Sequence, residues 1–125
     1  GLKGLNQAMS AITSEVMAQA NPGGIHSRSS ESHNQDKVSL GLSACIQMNN
    51  MFENLYTLLS LHLIGCMQAI DLRGHKLKSE ELIDLYNMVR KISPKVTEDR
   101  AMDFEIENLK LELKKRSGVF NDKSL

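Results

Sequence analysis

Tryptophan is absent from this chain, and three phenylalanines and two tyrosines make up its whole aromatic content, 4%. A core with so few rings has to be packed from aliphatic side chains and methionine. The seven methionines suit helices with adaptable contacts. Charge of either sign is not in excess: 15 basic residues balance 15 acidic ones. A nucleic-acid surface needs a basic excess or stripe, and neither is present. The densest basic run, Lys114-Lys115-Arg116, reads as the charged last turn of a helix. Only two cysteines occur, Cys45 and Cys66. Both fall in one expected helix, where about 1.5 Å per residue sets them roughly 30 Å apart, too far for a disulfide. Reduced, buried thiols and a cytoplasmic location are expected. The longest uncharged run, Asn54 to Ile70, is interrupted by Thr57, Ser60, His62 and Gln68 and is too short for a membrane span. No signal peptide is visible at Gly1-Leu2-Lys3-Gly4, which looks like a cut end. No metal is expected, because two Cys and four His lack ligand spacing. His62 and Cys66, four apart, read as one packed helix face with a satisfied imidazole. Gly23-Gly24 reads as a helix stop, not a phosphate loop.

At 125 residues the chain is at most one ordinary domain. Apolar residues at Leu5, Ala8, Met9, Ile12 and Val16 recur every three or four positions, one face of a first helix. Asn21-Pro22-Gly23-Gly24 ends it. Residues 21–36 show no periodicity and are rich in Gly, Ser, Asn and His; a loop of that length is either functional or a flexible linker. A long helix is predicted from about Lys37 to Arg73, capped by Asn34 or Asp36 and stopped by Gly74. From Leu55 to Ile70 it is apolar on every face, so it needs covering on all sides, by other copies or by segments not present here. Ser79-Glu80-Glu81 opens a helix to about Ile92, with Leu82, Leu85, Met88, Val89 and Ile92 as its buried stripe. Thr97-Glu98-Asp99 begins the last helix, about residues 98–116, where Phe104, Ile106, Leu109 and Leu113 pack. The segment from Ser117 to Leu125 is expected to fray. No strand alternation persists, so the chain is expected to be all-α.

The stretch richest in chemistry is Ser30-Glu31-Ser32-His33-Asn34-Gln35-Asp36-Lys37-Val38-Ser39-Leu40-Gly41. It sets two carboxylates, an imidazole and two amides at the mouth of an apolar helix. An apolar wall with a few convergent polar groups suits a small-molecule site. Glu31, Asn34 and Gln35 are the residue types that would hold an amino acid, the carboxylate for its ammonium and the amides for its carboxylate or ring. Read without any comparison, capping and solvation account for these groups as well.

Residues 30–41 resemble the C-terminal-half signature of the aromatic amino acid ammonia-lyases, a family that includes the phenylalanine, tyrosine and histidine enzymes and related aminomutases. Ser14-Glu15 followed by Pro22 resembles the approach to that signature. Gln68-Ala69-Ile70-Asp71-Leu72-Arg73 resembles the end of the family's long core helix. Glu98-Asp99-Arg100-Ala101 with Ile106-Glu107 resembles its closing segment. The likeness runs in order over about residues 5–113. It implies that residues 1–125 are the C-terminal helical part of a larger all-α, helical-bundle protein, a homotetramer in full-length members. It implies elimination of ammonia from an aromatic amino acid to an α,β-unsaturated acid, by a methylidene-imidazolone made from an Ala-Ser-Gly tripeptide and a Tyr base. The chain has no Ala-Ser-Gly, and Tyr56 and Tyr86 do not match the catalytic Tyr segment. No catalytic residue is therefore expected within this chain, which alone should be inactive. By the same likeness Glu31 lies near the substrate amine, Gln35 lines the pocket near the electrophile, and Asn34 supports the site. Asp36 reads as a helix-start residue. Histidine-selective members usually carry Glu where this chain has Gln35, while Lys37-Val38-Ser39 is nearer the bacterial histidine pattern, so the signature is mixed. An aminomutase and a non-catalytic helical assembly module are the other classes left open.

Overall fold

The computed structural model describes residues 2–74 and 76–118. Four α-helices make up the architecture: α1 (Lys3–Gln19), α2 (Gly41–Arg73), α3 (Glu80–Ile92) and α4 (Asp103–Ser117). A short 3-10 turn at Gly23–His26 interrupts the loop between α1 and α2. The β-type pairing among the described residues is one isolated bridge, Ser30 with Gln35. Helix α2 is the spine, and its 33 residues span about 50 Å. Helices α1, α3 and α4 all pack against it.

The core is small. Ile64 and Met67 of α2, Met88 and Val89 of α3, and Leu109 of α4 form one buried cluster, flanked by half-buried Leu5, Leu85, Ile106 and Leu113. On α2 the buried stripe is Ser60, Leu61, Ile64, Met67 and Gln68. These positions recur at three and four, so they face one way. The opposite side is bare: Leu55 and Leu59 are exposed. The accessible surface, 9164 Å², exceeds the roughly 6,700 Å² that mass scaling gives for a compact monomer of this size. The helix that is apolar all round in sequence is thus covered on one side only.

Polar staples fix the far end of α2. The Gln68 side-chain amide donates to the Val96 carbonyl (2.8 Å) and accepts from the Val96 N–H (3.0 Å). Asp71 pairs with Arg90 at 2.7 Å and accepts a hydrogen bond from the Tyr86 hydroxyl. The buried Ser93 hydroxyl donates to Glu105, which Arg100 also grips at 2.8 Å. Gly74, with φ +60, turns the chain out of α2 in the left-handed region that favours glycine.

Several expectations change. Helix α2 starts at Gly41, four residues later than about Lys37, and neither Asn34 nor Asp36 caps it. The reason lies in Ser27, which hydrogen-bonds Val38 and holds that segment out of the helix until Leu40 turns through φ +53. Asp36 therefore sits in the loop, exposed, and is not a helix-start residue. Helix α4 begins at Asp103, not near Glu98, because Gln68 and Arg100 tie residues 94–100 into a non-helical path. Phe104 is 80% exposed on the outer face of α4, and Leu82 is also exposed, at the outer edge of the first turn of α3. Cys45 and Cys66 are free but exposed, because both lie off the buried stripe of α2. His62 is exposed as well, beside Met9, Thr13, Leu55, Leu58 and Leu59 in an open groove, and is not packed inside. Ser79 does cap α3, accepting from the Leu82 N–H. Of the segment expected to fray, residues 119–125 lie outside the described residues, and Ser117 closes α4.

The Glu105 staple has a consequence in acid. Burial pushes its carboxyl up, but hydrogen bonds from Arg100 and Ser93 and the charge of Arg90 outweigh that and hold it below its ordinary 4.5. A depressed carboxyl contributes stability above its unfolded value and loses it as pH falls through the folded one. Thermal midpoints measured from about pH 5 down to about pH 3 should therefore fall, and should fall less steeply in Glu105→Gln. Equal slopes for the two proteins would remove Glu105 from the account.

Candidate functional site

The loop from Ala20 to Leu40 is tied to α2 at its start and closed on itself near its exit. At its start the Gln47 side chain donates to the Gln19 carbonyl at 2.6 Å, satisfying one of the last carbonyls of α1. Asn54 adds a longer bond to the Gln19 side chain. At its exit the Ser27 hydroxyl donates to the Val38 carbonyl at 2.6 Å and accepts from the Val38 N–H at 3.1 Å.

Between these anchors the chain folds into a narrow turn. Ser30 and Gln35 exchange both backbone hydrogen bonds, at 3.0 and 3.3 Å. The Asn34 N–H donates to the Glu31 carbonyl at 3.0 Å, closing a four-residue turn. Its central residues Ser32 and His33 have φ of +53 and +68, the pattern of a type I′ hairpin turn. Glu31 also has positive φ, +52. Three consecutive non-glycine residues in the left-handed region cost about 1–2 kcal/mol each. Backbone strain of this kind persists where the surrounding bonds over-determine it, and such places gather at functional sites. Ser29 and His33 bond across the turn at 2.8 Å, and the Ser30 hydroxyl donates to the Gln35 side-chain oxygen at 3.2 Å.

The turn brings the three expected site residues together. Glu31 and Asn34 stand at its two corners, with Gln35 beside them on the bridge. All three are exposed. No hydrogen bond or ion pair engages the Glu31 carboxylate or the Asn34 side chain among the described residues, and the Gln35 amide nitrogen is also uncommitted. The turn thus offers one acceptor charge and two amides on a braced backbone, facing outward. Sequence reasoning missed Ser27 and Ser30, which shape the turn. The signal for them was weak: hydroxyls in a Ser-rich loop are as often solvated as structural. Both tyrosines are committed elsewhere. The Tyr56 hydroxyl donates to Ser117 at 2.7 Å, and the bond to Asp71, with burial, pushes the Tyr86 hydroxyl above its ordinary 10. No group of three or more His, Cys, Asp or Glu gathers as a metal site among the described residues.

The model of a known family, "aromatic amino acid lyase", matches residues 1–91, which include the whole loop and all of α2. The chain belongs to the aromatic amino acid lyase family. A histidine ammonia-lyase from Bacillus velezensis is 30% identical over 118 residues, 94% of this chain and 23% of that protein. A phenylalanine aminomutase (L-beta-phenylalanine forming) from Taxus chinensis is 42% identical over 73 residues, 58% of this chain and 11% of that protein. The crystal structure of histidine ammonia-lyase from Trypanosoma cruzi superposes with a TM-score of 0.83 at 26% identity, over 94% of this chain and 23% of that one. This lyase-family chain therefore spans about a quarter of the length of the relatives it matches. The all-helical fold, with α2 as spine, is that of a histidine ammonia-lyase over the matched part. Two of the motifs that carried the likeness now have a physical role. Gln68 and Asp71 staple α2 to Val96 and to Arg90, and Arg100 holds Glu105.

Proposed function

We propose that residues 1–125 are the C-terminal part of a longer ammonia-lyase that eliminates ammonia from an aromatic amino acid, giving an α,β-unsaturated acid. The observation that carries this reading is the match of 94% of the chain to a histidine ammonia-lyase. The turn adds to it, because the matched signature folds into a braced corner that presents Glu31, Asn34 and Gln35 to solvent. The Glu31 carboxylate pairs with the substrate ammonium and steers it as it leaves. The amides of Asn34 and Gln35 hold the substrate carboxylate or ring substituents. Phenylalanine, tyrosine and histidine are the candidate substrates.

A methylidene-imidazolone would supply the electrophile that draws on the amine. This chain fits such a group as a wall and not as its source: no Ala-Ser-Gly occurs in it, and the unpaired Glu31 carboxylate and Gln35 amide face outward. Neither Tyr56 nor Tyr86 is free to take a proton from the substrate. The reacting groups belong to sequence beyond this chain. The bare side of α2 is a surface for other copies, and a homotetramer is the assembly proposed. Two free, exposed thiols suit the reducing cytoplasm. By its length and apolar character α2 could cross a membrane, but its inward Ser60 and Gln68 are hydrogen-bonded within the protein, which favours a packed core helix.

A second reading has its own support. The likeness to a phenylalanine aminomutase covers residues at 42% identity, and a mutase would return ammonia to the β carbon. Incubating the longer protein with phenylalanine, tyrosine and histidine tests both readings. Free ammonia with the unsaturated acid is expected; a β-amino acid would favour the mutase. The 125-residue chain alone is expected to release none.

A further inference from the structure

Resting on the substrate-loop reading above, we infer that Ser27 is the positioning residue of that loop: its hydroxyl and carbonyl lock residues 37–38 and so hold Glu31, Asn34 and Gln35 in place.

Ser27 sits four residues before Glu31 and eleven before Val38. It makes three bonds to the returning strand. Its hydroxyl donates to the Val38 carbonyl at 2.6 Å and accepts from the Val38 N–H at 3.1 Å. Its carbonyl accepts from the Lys37 ammonium at 3.4 Å. One side chain thereby satisfies both backbone groups of Val38, as a paired strand would. The Ser30–Gln35 bridge forms a second rung above it. Two rungs fix the register of the segments that lead into and out of the turn, and register decides which side chains stand on which face. A turn with φ positive at Glu31, Ser32 and His33 does not hold itself. Each of those residues gains by relaxing to negative φ, so the restraint has to come from below. Ser27 is half-buried and belongs to neither helix, and no staple elsewhere in the fold depends on it. Its own backbone, φ −63 and ψ 139, is extended and accepts a β-branched residue, so threonine keeps the hydroxyl without strain.

The test uses the longer protein, with three variants. Ser27→Ala removes the hydroxyl. Ser27→Cys keeps its volume but bonds weakly. Ser27→Thr keeps the bond. Backbone hydrogen exchange is followed by mass spectrometry across residues 29–38, and kcat and KM are measured with phenylalanine, tyrosine and histidine. Ser27→Ala and Ser27→Cys are expected to speed exchange about tenfold and to raise KM by a similar factor, from the loss of one well-made bond pair, with kcat changed much less. Ser27→Thr restores both. A merely structural role would lower the amount of active protein and leave KM alone. Exchange that stays within twofold of wild type in both Ser27→Ala and Ser27→Cys overturns the role of Ser27 and leaves the substrate-loop reading standing. Faster exchange with KM unchanged for every amino acid turned over, or no turnover of any by the wild type, overturns that reading and the inference with it.

Discussion

Leu109→Ala is expected to destabilise the chain by roughly 2–5 kcal/mol, the range for truncating a fully buried aliphatic side chain. Leu109 is 0% exposed and joins α4 to Ile64 and Met67 of α2 and to Val89 of α3. Among the described residues the buried cluster holds five side chains, so few neighbours can close the gap. Much of a typical domain's margin, ~5–15 kcal/mol, would go with one residue. The control is Leu111→Ala, two positions along the same helix but 47% exposed, which should change stability by no more than about 0.5 kcal/mol. Urea unfolding of the two variants decides the matter. Equal losses would mean that the small cluster is not the seat of stability.

Glu31→Gln in the longer protein is expected to lower kcat/KM by about tenfold to a hundredfold, the loss that follows from giving up a hydrogen bond to a charged group. The substitution keeps the shape but removes the charge, and it replaces one acceptor oxygen with an NH2 that cannot accept from the substrate ammonium. Because no bond to the Glu31 carboxylate exists among the described residues, folding should not suffer, and the thermal midpoint should stay put. Steady-state kinetics beside a melting curve separates the two effects. A fall in midpoint with kcat/KM intact would make Glu31 a structural residue.

The helices were legible in the sequence because periodicity and stop signals acted locally. Ser79 before Glu80-Glu81, Gly74 after Arg73, and the 3–4 spacing in α1 each correspond to a feature of the structure. The starts of α2 and α4 were not legible, because distant partners set them. Val38 is claimed by Ser27 and Val96 by Gln68, and no local pattern announces either. Exposure was misread for a related reason. Cys66, Leu82 and Phe104 are apolar residues on helices, but this chain supplies too few neighbours to bury them. The motif Glu31…Asn34-Gln35 was visible as chemistry, while its shape was not: positive φ at three non-glycine residues runs against every local preference and needs the bonds beneath it.

Turnover by the longer protein tests the central claim most directly. With phenylalanine, tyrosine and histidine supplied in parallel, at least one should yield ammonia and its α,β-unsaturated acid in equal amounts, while residues 1–125 alone yield neither. Turnover of none of the three by the longer protein, or release of ammonia by the 125-residue chain on its own, would contradict the account.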